Sequence, residues 1–477
     1  MAISRTVTFI LILIIFTVFN SCFQEDESTQ FDNISKEINI NDWIWEELNT
    51  YYFWKDFLID TDQSESDHET YFKSLLYEDD RFSWISEDVE TLLEELDGEI
   101  LALGFSPTFG VFSNSNNIFI IVEYVYPESS AEEAGLARGD IILKIDGLNL
   151  TMDNYLDLYD KTEYTVTLGA YNENGIYETD QEIFITNSSI DINPVVYTEI
   201  KDIDNIKIGY IVYVDFLAGE NDSKLDNLGH VIDEMKAQGI TELIFDLRYN
   251  RGGNVEAVKY LGSILAPYKN VLNQDVFVKF DYNDVLEDYY LAKEGENSEH
   301  LFIRFSDNGH NLDLDRIVIL TGSNTASASE LLLVGLDPYM QIISIGEPTF
   351  GKFYGSFVIY DTNDPRKHNW AMIPVVLKYT NANGFTDFEY GITPDFYIED
   401  NLLEAKPFGD EADPMLSKAL SYIIGKDWDE GARIDRSKLY RELPDWYKIK
   451  KGNILYIQDF SSTLSSDPIS ILKLHLP

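Results

Sequence analysis

A chain of 477 residues with 84 acidic and 35 basic side chains carries a formal charge of −49. A surface of that sign repels phosphate backbones and anionic headgroups, so nucleic acid is not an expected partner. Hydrophobic content of 44% and aromatic content of 14% exclude a largely disordered chain, and the length accommodates two or three domains. The single cysteine, Cys22, excludes an internal disulfide framework.

In chain order, Arg5 precedes an uncharged, mostly apolar run over residues 7–19. The run is too short to span a bilayer as a helix and fits the core of a secretory signal over residues 1–21. It leads into Phe19-Asn20-Ser21-Cys22, which leaves a plain signal peptide with an incidental cysteine or a lipidated one. The stretch resembles a bacterial lipoprotein signal, and the acidic residues 24–27 resemble an export signal of Bacteroidetes lipoproteins. That resemblance implies acylation of Cys22 and a lipid anchor in the outer membrane of the cell envelope, facing periplasm or surface. Residues 22–39 read as a tether.

Residues 40–98 carry a helical period: Trp43, Trp45, Leu48, Tyr51, Tyr52, Trp54 and Phe57 recur mainly at threes and fours, and Val89, Leu92, Leu93 and Leu96 repeat it. Residues 99–188 switch to short strand-like runs at 118–122, 141–145, 164–168 and 182–185, with a short helix between Pro127 and Gly135. Residues 189–425 alternate strands (208–214, 242–248, 316–321, 341–345) with helices (225–237, a segment ending at 265, 328–336), the pattern of a layered α/β core. Residues 268–314 are acidic and show no legible period. Residues 426–477 carry no recognisable motif, and the basic patch at 448–451 reads as solvated surface.

Chemistry concentrates in Thr321 to Leu332, where Ser323, Ser327 and Ser329 sit between a strand and a helix. Helix capping accounts for such serines at about 1 kcal/mol each. The same strand–turn–helix context exposes a nucleophile to free backbone amides. With six histidines in the chain, a base other than histidine is needed. Lys352 ends the glycine-bracketed loop Gly346-Glu-Pro-Thr-Phe-Gly-Lys352, and a lysine in an apolar pocket loses its proton near neutral pH. Upstream, Asp246-Leu-Arg-Tyr-Asn-Arg-Gly-Gly253 ends a strand in two glycines that bring a backbone amide close to a carbonyl.

These blocks resemble the C-terminal processing peptidases, the S41 serine peptidase family. The resemblance rests on Thr325-Ala-Ser-Ala-Ser-Glu330, the loop ending at Lys352 25 residues after Ser327, the block 246–253, and Gly391-Ile-Thr-Pro-Asp395. It implies a crotonase/ClpP-like layered β/α core with Ser327 as nucleophile and Lys352 as general base. The oxyanion hole would pair the amide of Gly252 or Gly253 with that of Ala328. Residues 127–147 resemble the second half of a PDZ domain, whose carboxylate loop would be Leu103, Gly104 and Phe105. The implied substrates are unstructured proteins or peptide ends, with no cofactor and no metal; nothing sets an oligomeric state. Where family members carry a glutamine that orients the lysine, this chain has Ser356. On a strand it would face the same way as Lys352, leaving an orienting hydroxyl or an inert substitution. The rival reading is a non-catalytic peptide-binding lipoprotein; the presence of both Ser327 and Lys352 favours the endopeptidase.

Overall fold

The computed structural model of the protein describes residues 39–59, 61, 63–113, 115–427, 440–443 and 455–457. The expected signal sequence, Cys22 and the basic patch at 448–451 lie outside the described residues.

Among the described residues, the helical region holds three α-helices and the short 3-10 helix Lys55–Phe57. Ile40–Tyr51 starts at Asn39, His68–Leu75 at Asp67 and Val89–Asp97 at Asp88, and each of these side chains accepts amides from the first turn. Those are the donors that a helix start leaves without partners. Of the periodic stripe, Leu48, Tyr51, Tyr52, Val89, Leu92 and Leu96 are buried, the leucines contributing roughly 1.5–3 kcal/mol each. Trp43, Trp45 and Trp54 are only half-buried and Phe57 is exposed, because the inward face of the first helix is set by Ile44 and Leu48. Between the second and third helices, strand Trp84–Ser86 pairs antiparallel with Ala371–Ile373 and ties the region to the core.

The β-rich unit is a sheet whose path runs Tyr440–Glu442, Phe105–Phe112, Ile118–Val125, Ile141–Ile145, Glu163–Asn172, Gly175–Thr186. Its second strand in sequence shows why it reads as a continuous apolar run. Ile118, Ile120 and Val122 fill the unit's own core, while Phe119 and Ile121 pack into a cluster shared with the α/β core, which Tyr124 joins because the pairing register shifts at Glu123. Alternate side chains point to opposite faces, and here both faces are covered.

The central sheet has the spatial order Val195–Ile203, Ile206–Tyr213, Glu242–Asp246, Arg316–Thr321, Gln341–Gly346, Phe396–Tyr397. The first two strands form an antiparallel pair and the rest run parallel. Loops leaving the carboxyl ends of three parallel strands carry the catalytic candidates, the usual place for a site in an open parallel sheet.

Residues 268–314 are not irregular. They form helices Tyr268–Leu272 and Asp284–Glu294 and strands Val276–Tyr282 and Phe302–Arg304. Phe277, Val278, Phe280 and Tyr282 are buried there, and the acidic residues of the following helix obscure that pattern in the sequence. Both strands belong to a second six-stranded sheet, ordered Gly253–Asn254, Leu455–Ile457, Tyr354–Phe357, Val375–Asn381, Val276–Tyr282, Phe302–Arg304. The described residues 440–442 and 455–457 therefore join the sheet of the β-rich unit and this second sheet. Tyr440–Glu442 pairs with the edge strand Phe105–Phe112, and Leu455–Ile457 lies parallel to, and between, Gly253–Asn254 and Tyr354–Phe357.

Candidate active site

Ser327 is the N-cap of helix Ala328–Leu336, with φ 59° and ψ −109° and no side-chain cap hydrogen bond. The residue is fully buried and its Oγ has no hydrogen-bond partner. Its two neighbours differ. Ser323 is exposed, and Ser329 Oγ donates to the backbone and side-chain oxygens of Asn250 at 3.1 and 2.9 Å. Only Ser327 of the three presents an unused hydroxyl inside the site.

Asn250 holds the glycine loop against the serine loop. Its Oδ1 also accepts Gly252 N–H at 2.9 Å, its Nδ2 donates to Tyr213 O at 3.0 Å, and its own carbonyl accepts Ala326 N–H at 3.1 Å. Gly252 has φ 116°, and a Cβ there would lie 2.8 Å from Ser327 Cβ and 3.0 Å from Ala328 N. A side chain would collide with the nucleophile candidate, so the position requires glycine. The glycine loop and the helix start named for the expected oxyanion hole thus come together, with one refinement. The Gly252 N–H is engaged by Asn250, whereas Ala328 is the first residue of its helix, where an N–H has no partner within the helix.

Lys352 is 1% exposed, and burial holds its amine down at about 7, against opposing pulls from Asp80 and Glu330. Its Nζ lies 5.2 Å from the centre of the Phe82 ring. Glu330, to which the sequence reading gave no role, joins the lysine loop to the serine loop. Its fully buried carboxylate accepts Ser327 N–H at 2.8 Å, Lys352 N–H at 2.9 Å, Gly351 N–H at 2.6 Å and Thr349 Oγ1–H at 2.6 Å. Desolvation pushes it up to about 7, although all four bonds favour the charged form. Tyr379 OH donates to the carbonyls of both Ser327 and Lys352, at 3.2 and 3.1 Å. The signal for Glu330 was its place three residues after Ser327, the spacing of a capping box.

Ser356 is buried in strand Tyr354–Phe357 with its Oγ unpartnered. The alternation expected between Lys352 and Ser356 does not carry over: Lys352 precedes the strand, and the pairing register shifts between Gly355 and Ser356. Leu103, Gly104 and Phe105 form the turn before Phe105–Phe112, with both apolar side chains buried. Gly104 O accepts Tyr126 N–H at 2.9 Å and Ser129 Oγ–H at 3.1 Å. A cavity of about 240 Å³ is bounded by Phe105 and Ser106 and also by Asp215, Arg251 and Gly253, and so runs from this turn to the glycine loop. Beside it, buried Glu123 accepts Ser106 Oγ–H and Thr108 Oγ1–H at 2.6 Å each, and pairs with Arg251 at 3.4 Å.

Residues 207–398 match Peptidase family S41, residues 39–84 the Peptidase S41 N-terminal domain, and residues 121–167 a PDZ domain. The chain is 26% identical over 300 residues to the carboxyl-terminal-processing protease of Synechocystis sp., a match covering 62% of this chain and 63% of that relative. It is 26% identical over 393 residues to the carboxy-terminal processing protease CtpA of Bacillus subtilis, covering 81% of this chain and 69% of that one. Among solved structures, an S41 protease from Bacteroides fragilis superposes with a TM-score of 0.67 at 26% identity, over 80% of this chain and 97% of that one. The photosystem II D1 C-terminal processing protease shares the fold at a TM-score of 0.50 and 20% identity, over 80% and 97% of the two chains. The chain has the S41 peptidase fold, with regions that match the S41 N-terminal domain and a PDZ domain beside the peptidase core.

Proposed function

We propose that the protein is an endopeptidase with a Ser-Lys dyad, acting on unstructured protein segments or C-terminal ends, as the names of its relatives suggest. One observation carries this reading. A buried, unpartnered Ser327 hydroxyl on a strained turn is linked through Glu330 to a lysine whose amine is held near neutral. Neutral Lys352 takes the proton of Ser327 Oγ as that oxygen bonds the scissile carbonyl carbon. The developing oxyanion meets the amides of Ala328 and Gly253. The lysine ammonium then protonates the departing amine as the C–N bond breaks, and water releases the acyl group by the same proton path. The strand Leu455–Ile457 lies in the gap between Gly253–Asn254 and Tyr354–Phe357, a groove whose two walls it pairs with, and so supports an extended peptide as the fitting ligand. The PDZ domain would recruit chain ends at the turn 103–105 and feed the cavity that reaches Gly253.

The test compares the chain from residue 23 onward with Ser327→Ala and Lys352→Ala, each incubated with casein and followed by mass spectrometry. Cleavage by the wild type alone is expected, rising as pH passes upward through about 7 because the lysine must be neutral. Wild-type rates in Lys352→Ala would assign the base elsewhere, and no cleavage at all would favour a peptide-binding role.

The proposed location rests on the sequence alone. We propose that Cys22 is acylated and anchors the protein to the outer membrane. Cells given a clickable palmitate analogue should label the wild type and not Cys22→Ser; equal labelling of both would remove the anchor.

A further inference from the structure

The N-terminal domain contributes directly to the pocket of Lys352. Tyr52 OH donates to Asp80 Oδ2 at 2.7 Å, and Asp80 Oδ1 accepts the N–H groups of Phe82 and Ser83 at 2.9 and 3.0 Å. One carboxylate therefore folds the tight turn that carries Phe82. The turn is pinned to the core on both sides. Ser83 Oγ accepts Val375 N–H at 2.8 Å, Phe53 N–H donates to Val375 O at 2.8 Å, and Val375 is the strand partner of Ser356. Phe82 then packs against residues on either side of the lysine, with ring centres 6.3 Å from Phe350 and 6.0 Å from Tyr354. Its ring centre lies 5.2 Å from Lys352 Nζ, so the ring forms part of the apolar wall around the amine.

We propose that Asp80 and Phe82 are positioning residues of the active site: Asp80 folds the turn that seats Phe82 against Lys352 and sets a negative charge beside its pocket. The proposal rests on reading Lys352 as the base. Two opposing effects follow. Phe82 helps keep water from the amine, which favours the neutral form, while the Asp80 carboxylate favours the ammonium. Around this pocket also lie Glu330 of the serine helix, Tyr52 bonded to Asp80, Tyr354 against Phe82, and Tyr379, whose hydroxyl donates to Lys352 O. Burial raises all three hydroxyls, so they stay protonated through neutral pH. Arg81, exposed, lies 5.1 Å from the Phe82 ring. Among these, Asp80 and Glu330 are the charges that pull the amine back up.

The experiment is a pH profile of kcat/KM for the wild type, Asp80→Asn, Asp80→Glu and Phe82→Ala, with Lys352 followed in parallel by NMR of protein carrying ¹³Cε-lysine. The Lys352 signal is assigned by its loss in Lys352→Met. Asp80→Asn removes a negative charge, so the lysine gives up its proton at lower pH. The acid limb and the NMR midpoint both move down, by at least ~0.5 pH unit. Asp80→Glu restores them. Phe82→Ala admits water and moves both the other way. A fall in rate with limb and midpoint unmoved in Asp80→Asn would reduce Asp80 to a structural role and overturn the proposal. NMR shifts as expected without peptide cleavage would uphold the placement of Asp80 and overturn the peptidase reading instead.

Discussion

Ser327 holds a backbone conformation, φ 59° and ψ −109°, that costs a residue with a side chain about 1–3 kcal/mol. The Glu330 carboxylate supplies much of the restraint, since it accepts the amide of Ser327 and two amides of the lysine loop at once. A neutral glutamine has one acceptor oxygen and an NH2 group that would face donors. Glu330→Gln therefore leaves at least two buried donors unsatisfied, each costing about 1–3 kcal/mol. Urea denaturation should show a stability loss of that order together with collapse of activity. Wild-type stability in the variant would mean that the four contacts are dispensable.

At the scale of elements, the parts with strong local signals were legible from the sequence. The parallel strands 316–321 and 341–346 bury both faces, so their Ile/Val/Leu runs announce themselves. The blocks around Ser327, Lys352 and Gly252–Gly253 were readable because each chemistry restricts the residue types it accepts. What could not be read depends on partners distant in the chain. Glu123 is an ordinary polar residue in a strand until Arg251 and Asn324 of the catalytic loops meet it, at 3.4 and 3.3 Å. Asp80 looks like any surface acid until Tyr52 and the following turn close on it. The strand Tyr440–Glu442 is three residues long, and what selects it is the open edge of Phe105–Phe112. Strand Val276–Tyr282 was missed because its burial is decided by neighbours on both sides, Phe302–Arg304 and Val375–Asn381.

Across the whole molecule, a net charge of −49 coexists with cations buried where the PDZ domain meets the core. Arg248 is ion-paired with Asp246 and Asp413, at 2.8 and 2.9 Å, and Arg138 of the PDZ domain reaches Asp400 and the face of Tyr249. Removing one partner of such a set typically costs about 3–5 kcal/mol, because it leaves an uncompensated buried charge. The described end of the chain adds a further link between them, since Tyr440–Glu442 joins the PDZ sheet and Leu455–Ile457 joins the groove. In the groove, residue 456 is in register with both Asn254 and Ser356, so a single strand fills the gap between the walls. An incoming peptide that adopts the same pairing gains few hydrogen bonds overall, because each one it forms replaces one already made. Its rival is tethered to the same polypeptide and acts at an effective concentration on the order of millimolar. Tyr456→Pro, which deletes a ladder N–H, should lower KM for an extended peptide with kcat little changed; an unaltered KM would show that the strand does not compete. Were substrate to take this place, its affinity would be a difference between two strands of similar backbone chemistry, with side chains deciding which of them stays.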